Sequence, residues 1–209
     1  MVFCRFLGNA CIELIGVKDH IIIDPVFLSS PRKGIERIFI THHHQDHIEI
    51  SKLKEIKEKF SVEGRELEIY GPECIYEELT VEFILIIPGF KISLHNGEIE
   101  VFENNCWKAE GCVAYLISID NKKILHTADS ANYSDALRTL KNQVDLCFIA
   151  CFEDNFEDYM NFIKEITPKQ VIPYHFSVEK EQSGKNVSKY LKEYGFNSIF
   201  LSIGEEIEL

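Results

Sequence analysis

The segment Ile38-Phe39-Ile40-Thr41-His42-His43-His44-Gln45-Asp46-His47 constrains this chain more than any other. An apolar run of strand type leads into four histidines and an aspartate, and imidazole nitrogen beside carboxylate oxygen is a donor set for zinc, iron or manganese. In an extended backbone residues i, i+2 and i+4 share a face, so the pattern predicts His42, His44 and Asp46 on one side, with His47 beginning the next turn. Two later strands end in the same way: Ile124-Leu125-His126 runs on to Asp129, and Val171-Ile172-Pro173-Tyr174 runs on to His175. Alone, each is an ordinary cap, turn or core residue; together with the histidine segment they describe a metal centre assembled at strand ends. Asp24, after Ile21–Ile23 and before Pro25, is expected as a buried carboxylate steadying the histidine loop, with a plain turn residue as the alternative. His20, His95 and His126 lie in turns or inside a strand and are expected as non-ligands of this centre, with His95 kept as a distant donor.

Short apolar runs separated by turn signals predict an N-terminal meander over 2–6, 11–17 and 21–23, then a strand over 35–40. Ser51–Phe60 carries Leu53, Ile56 and Phe60 at helical spacing beneath a Lys/Glu face. A helix from Pro72 and strands near 66–70, 83–87, 91–94, 99–103, 113–119 and 123–126 follow, with hairpin turns at 95–97 and 120–121. The last third alternates helices over 133–140, 156–166 and 184–194 with strands over 144–149, 170–172 and 198–201. Meanders joined to such alternation predict an α/β fold of the α+β kind, a four-layer αβ/βα sandwich of two mixed β-sheets with outer helices. With no Pro/Gly-rich linker, residues 1–209 are expected to form a single domain.

The order Ile22-Ile23-Asp24-Pro25, Thr41-His42-x-His44-x-Asp46-His47, His126-Thr127-Ala128-Asp129-Ser130 and Ile172-Pro173-Tyr174-His175-Phe176 resembles the metallo-β-lactamase fold superfamily. More narrowly it resembles the compact branch of metal-dependent hydrolases that includes ascorbate-6-phosphate lactonase-like proteins. The resemblance implies a metal centre at one edge between the two sheets, holding one or two divalent ions, zinc, manganese or iron. It implies His42 and His44 as ligands of the first ion, Asp46, His47 and His175 as ligands of the second, and Asp129 as the bridge. Asp46 is also the residue implied to orient water or take its proton. A further histidine expected before the strand at Val113 is missing, since residues 103–111 read Glu-Asn-Asn-Cys-Trp-Lys-Ala-Glu-Gly. Cys106 as a thiolate, Glu110 or water can fill its place, or the site binds weakly; a buried structural Cys106 is the competing reading.

Divalent cations lower the pKa of a bound water from about 15.7 toward 7 and polarise a substrate oxygen, so hydrolysis is the expected reaction. Acidic residues number 34 against 22 basic ones, a net charge of −12. Such a surface disfavours polyanions, so a small ester, lactone or phosphoester is expected as substrate and no nucleic acid as partner. The alternatives are a phospholipid or nucleic-acid phosphodiesterase and a degenerate metal-binding scaffold without turnover. No apolar stretch approaches the roughly 18–20 residues that span a bilayer, and the N-terminal stretch predicts no export. Seven cysteines, an odd number without a C-x-x-C pair, predict reduced thiols and a cytoplasmic setting. Cys4, Cys11, Cys112 and Cys147 are expected as small core residues.

Overall fold

The computed structural model describes residues 1–79 and 81–209. Strands β1 (Phe3–Gly8), β2 (Cys11–Ile15) and β3 (His20–Ile23) form an antiparallel meander, and β4 (Arg37–Phe39), β5 (Glu68–Gly71) and β6 (Ile84–Leu85) continue the sheet in parallel. The second sheet repeats that plan. Strands β7 (Lys91–Leu94), β8 (Gly97–Glu103), β9 (Val113–Ile119) and β10 (Lys122–His126) are antiparallel neighbours, and β11 (Leu146–Ala150) and β12 (Gln170–Tyr174) add in parallel. The last strand, β13 (Glu206–Glu208), pairs with β1 at the edge of the first sheet.

Period-two alternation sorts the side chains into layers. Ile12, Leu14, Ile21, Ile23 and Phe39 face the second sheet, while Cys11, Ile22, Ile38 and Ile40 face helix α1 (Ile50–Lys59) through its Leu53 and Ile56. Helices α3 (Phe156–Ile166) and α4 (Glu181–Glu193), with the short α2 (Asp135–Arg138) before them, supply the second outer layer through Tyr159, Phe162, Ile163, Val187 and Leu191. The result is the expected four-layer sandwich. No helix among the described residues is long and apolar enough to cross a membrane.

Several element boundaries differ from the sequence expectation. The helix from Pro72 is only a 3-10 turn, Glu73–Ile75. The helix over 133–140 shortens to α2 because Ser134 caps it through Leu137 N–H and Tyr133 instead stacks on Phe162 at 3.6 Å. The strand at 198–201 does not form. Val171 exchanges backbone bonds with Asn197 and Ile199, but the next outward-facing position is Pro173, which has no N–H, so the ladder stops after one step.

The sheets are tied at both ends. Near the centre, Tyr115 donates its hydroxyl to Ile40 O at 2.5 Å and Val113 N–H bonds Thr41 O at 3.1 Å. At another turn the buried Asp19 accepts from the backbone of His95 (2.8 Å) and Asn96 (3.0 Å), joining the β2–β3 turn to the β7–β8 turn. Glu13 on β2 is a further buried acid of the first sheet. It pairs with Arg5 and accepts from His20 Nε2 at 2.8 Å and Arg32 N–H at 2.7 Å. Burial pushes its carboxyl up, but the His20 hydrogen bond, the Arg32 N–H and the Arg5 charge outweigh that and hold it below the ordinary range. Glu13→Ala is expected to cost about 3–5 kcal/mol in denaturant unfolding at pH 7, the usual cost of stripping one partner from a buried pair. Because the folded value is depressed, the contribution is present above the unfolded pKa and fades as pH falls through the folded one. The difference from wild type should therefore shrink in acid.

Candidate metal centre

The β4 strand ends at Phe39, and the chain from Thr41 to His47 is a loop rather than the extended segment its alternation predicts. Ile40 N–H makes a last sheet bond to Tyr70 O, after which Thr41 N–H turns to a side chain, donating to Asp24 Oδ1 at 2.8 Å. A turn then closes from His47 N–H and Ile48 N–H onto His44 O. This bend divides the motif. His42 and His44 face one position with Asp129, and Asp46 and His47 face another with His175.

Asp24, fully buried with φ of 51°, sits behind both histidines. Its Oδ2 accepts from His47 Nδ1–H at 2.7 Å and from the Thr41 hydroxyl at 2.8 Å. Thr41 has spent its one proton on Asp24, so its oxygen accepts from His42 Nδ1–H at 2.9 Å. Both rings are thereby fixed as the tautomer that presents a bare Nε2 forward, the arrangement metal-binding histidines require. Burial raises the Asp24 carboxyl, but the rings of His47, His126 and His42 outweigh it and hold it below its ordinary value. His126 lies behind the centre as a non-ligand, buried and pushed down to about 4 by that burial, with Nε2 3.5 Å from Ala10 O.

The forward atoms form two clusters sharing one carboxylate. In the first, His42 Nε2 lies 3.0 Å from His44 Nδ1, and Asp129 Oδ2 lies 3.5 and 3.9 Å from these two nitrogens. In the second, His47 Nε2 and His175 Nε2 are 3.1 Å apart, and Asp129 Oδ1 lies 2.8 and 2.9 Å from them. Asp46 Oδ2 approaches His175 Nε2 at 3.4 Å. Asp129 Oδ1 is buried and has no donor. His47 Nε2, His175 Nε2 and Asp129 Oδ1 lie within 3.1 Å of one another, an electron-rich cluster that a proton or a metal cation relieves. The donor set therefore fits divalent metal. The protonation tendencies reflect the same field. Burial lowers His47, yet Asp129 and Asp24 on either side raise it well above its ordinary value; burial raises Asp129, yet His47 and His175 hold it well below.

Backbone strain holds the bearing residues. Asp24, Ala128 beside Asp129, and His175 all have φ near +50 to +70°, a region costly for residues other than glycine. Tyr174 donates to Ala128 O at 2.9 Å and so joins the ends of β10 and β12.

Cys106 requires a correction to the expectation of free thiols. It is half-buried and its sulfur is paired with that of Cys112, which is buried beside His42. The adjacency arises because residues 106–112 form a tight loop, closed by a Cys106–Ala109 bridge, that brings its ends together; nothing in the local composition announces it. The other five cysteines are free. Glu110 is exposed, and Trp107, 74% exposed, lines the cavity in front of the centre as a wall. That cavity measures about 980 Å³ and is also lined by Asn9, Phe152, Ser177 and Lys180. Sequence reasoning missed Thr41 as a relay, although it stands inside the motif, and missed Cys112. His20 and His95 bond Glu13 and Asp19 elsewhere, as non-ligands of this centre.

The beta-lactamase superfamily domain model matches residues 4–175. The chain belongs to this superfamily. It is 26% identical to a UPF0173 metal-dependent hydrolase of Pyrococcus abyssi, covering 100% of both chains. The metallo-β-lactamase fold protein YhfI from Bacillus subtilis superposes with a TM-score of 0.80 at 19% identity, over 100% of both chains. Igni18, a metallo hydrolase from Ignicoccus hospitalis, superposes with a TM-score of 0.77 at 15% identity, over 99% of this chain and 97% of its own. These likenesses establish the metallo-β-lactamase fold for the sandwich described above.

Replacing Asp24 by Asn keeps its shape but exchanges one of its two acceptor oxygens for an N–H donor, so it can no longer accept from Thr41 N–H on one side and from the Thr41 hydroxyl and His47 Nδ1–H on the other. Metal affinity, measured by competition with a chromophoric chelator, should weaken by about 10–100-fold, the usual cost of losing an outer partner. Unchanged affinity would mean that Asp24 does not orient the histidines.

Proposed function

We propose that this metal-dependent hydrolase carries two divalent ions, zinc before manganese or iron, and acts on a small ester, lactone or phosphoester. One observation carries the proposal: the two oxygens of Asp129 face two separate groups of imidazole nitrogens. His42, His44 and Asp129 would hold the first ion; Asp46, His47, His175 and Asp129 would hold the second. Bound there, the ions supply Lewis-acid activation of water and of a substrate oxygen.

The chain's own residues have distinct parts in this reading. Asp46 is the most open carboxylate of the set, its side chain 46% exposed, and in this reading it would orient the attacking water and accept its proton. The cavity mouth is bounded by Trp107 and Phe152, which suit an apolar portion of the substrate and exclude water around it. Among the described residues lining the cavity, Lys180 is the one lysine or arginine, against Asp46, Asp129, Glu153 and Asp154. That balance supports a small substrate over a phosphate polymer. Lys108, a loop cation that could have formed a basic patch, instead stacks on Trp107 at 4.3 Å. The proposal includes a cytoplasmic setting: five of the seven cysteines are free, and the Cys106–Cys112 pair is the exception.

A second reading, a binding scaffold without turnover, is favoured by the three-donor first set. A panel of phosphodiester, lactone and thioester substrates, run beside structured and single-stranded RNA with each metal at low salt, separates the readings. Metal-dependent turnover of a small substrate is expected, falling by more than about 100-fold in His44→Ala, beyond what loss of an outer partner costs. RNA cleavage far above every small substrate, lost in the same variant, would contradict the substrate class. No turnover with both metals bound would favour the scaffold.

A further inference from the structure

The His42 half of the centre offers three donors, whereas zinc takes four in a closed site. The additional groups of ligating type beside His42 are both thiols: His42, Cys106 and Cys112 each place a donor atom within 4.8 Å of the others. Cys112 Sγ lies 3.8 Å from His42 Nδ1, the ring edge that Thr41 already occupies. Cys112 Sγ is thus engaged at that edge, and Cys106, whose sulfur also lies within 4.8 Å of a His42 ring nitrogen, is the sulfur assigned to the metal side once the pair opens. In the structure the two sulfurs are paired with each other.

We propose that Cys106 and Cys112 form a reversible dithiol–disulfide pair that controls metal loading of the His42 half: the released Cys106 thiolate is the fourth donor, and the disulfide withdraws it. The inference rests on the two-ion reading above. A thiolate binds zinc strongly, whereas a disulfide sulfur has no charge to offer. Opening and closing the pair requires little backbone travel, because the Cα atoms are 6.0 Å apart, inside the range of about 4.4–6.8 Å that disulfides span. Small reagents can reach it, since both cysteines line a cavity of about 540 Å³ beside Asn105, Lys108 and Glu110. Two contacts couple the pair to the centre. Cys112 packs with Ala128, the residue before the bridging Asp129, and the loop between the two cysteines carries Trp107 into the substrate cavity.

The exchange balances with a low-molecular-weight thiol as co-reactant. Two such thiols deliver two electrons and two protons, the Cys106–Cys112 bond breaks to two thiols, and the reagent leaves as its own disulfide; oxidation by a small disulfide is the reverse. Loading the His42 half then releases the Cys106 proton to solvent.

Metal content and the spectrum of the cobalt-exchanged full chain test this directly. Phosphine-reduced protein should bind a second equivalent and show a near-ultraviolet thiolate-to-cobalt band. Oxidation by a small disulfide should remove both, and re-reduction should restore them. Reduced Cys106→Ser should lack the band and the second equivalent, while reduced Cys112→Ser should keep them. A spectrum and stoichiometry indifferent to redox state and to both substitutions, with the His47-side ion still bound, would overturn this inference alone. Loss of the band in Cys112→Ser but not in Cys106→Ser would overturn the choice of donor. Absence of metal in every state would overturn the two-ion reading and this inference with it.

Discussion

The bond from Asp24 to Thr41 N–H is the contact on which the centre depends. It ends the β4 ladder, so a segment whose composition suits a strand becomes a loop. The same carboxylate takes the Thr41 hydroxyl proton and the His47 Nδ1 proton, and through Thr41 it fixes His42 as well. A buried carboxylate without a lysine or arginine beside it is costly, and here imidazole edges and an amide satisfy it. The strained φ of 51° at Asp24 is the local cost of that placement.

The two sheets make the placement possible. Each runs from an antiparallel meander into parallel strands, and the carboxyl ends of β3, β4, β10 and β12 deliver Asp24, the histidine loop, Asp129 and His175 to one edge. Tyr115 and Val113 lock that edge by bonding Ile40 and Thr41 across the sandwich. The aromatic step from Tyr115 to Phe39 and on to Tyr70 stiffens the floor beneath it, with Phe39 and Tyr70 stacked at 4.8 Å. Asp129 and His175 follow strand ends closely and the Asp24 bonds anchor the histidine loop, which suits a centre whose chemistry depends on spacing.

Much of this was legible in the residues because period-two alternation and ligand chemistry are local signals. The strands of the meander, the α1 amphipathic face and the helix over 156–166 follow from spacing alone. His42, His44, Asp46, His47, Asp129 and His175 stand out because their residue types terminate apolar runs. The bend at Thr41 was not legible, since it is imposed by a partner 17 residues away in sequence. Neither was the Cys106–Cys112 adjacency, which depends on how a loop without periodicity closes. The missing strand at 198–201 turns on the outward face of Pro173, a fact of sheet register rather than of local composition.

The central claim is that Asp129 joins two metal positions within one strand-end cluster. The most direct measurement is an anomalous difference map, collected on both sides of the zinc absorption edge, from crystals of reduced protein purified without added chelator. The account predicts a strong peak within bonding distance of His47 Nε2, His175 Nε2, Asp46 and Asp129, and a second peak across Asp129 beside His42 Nε2 and His44 Nδ1. Density at neither position, or scattering confined to exposed carboxylates elsewhere, would contradict it.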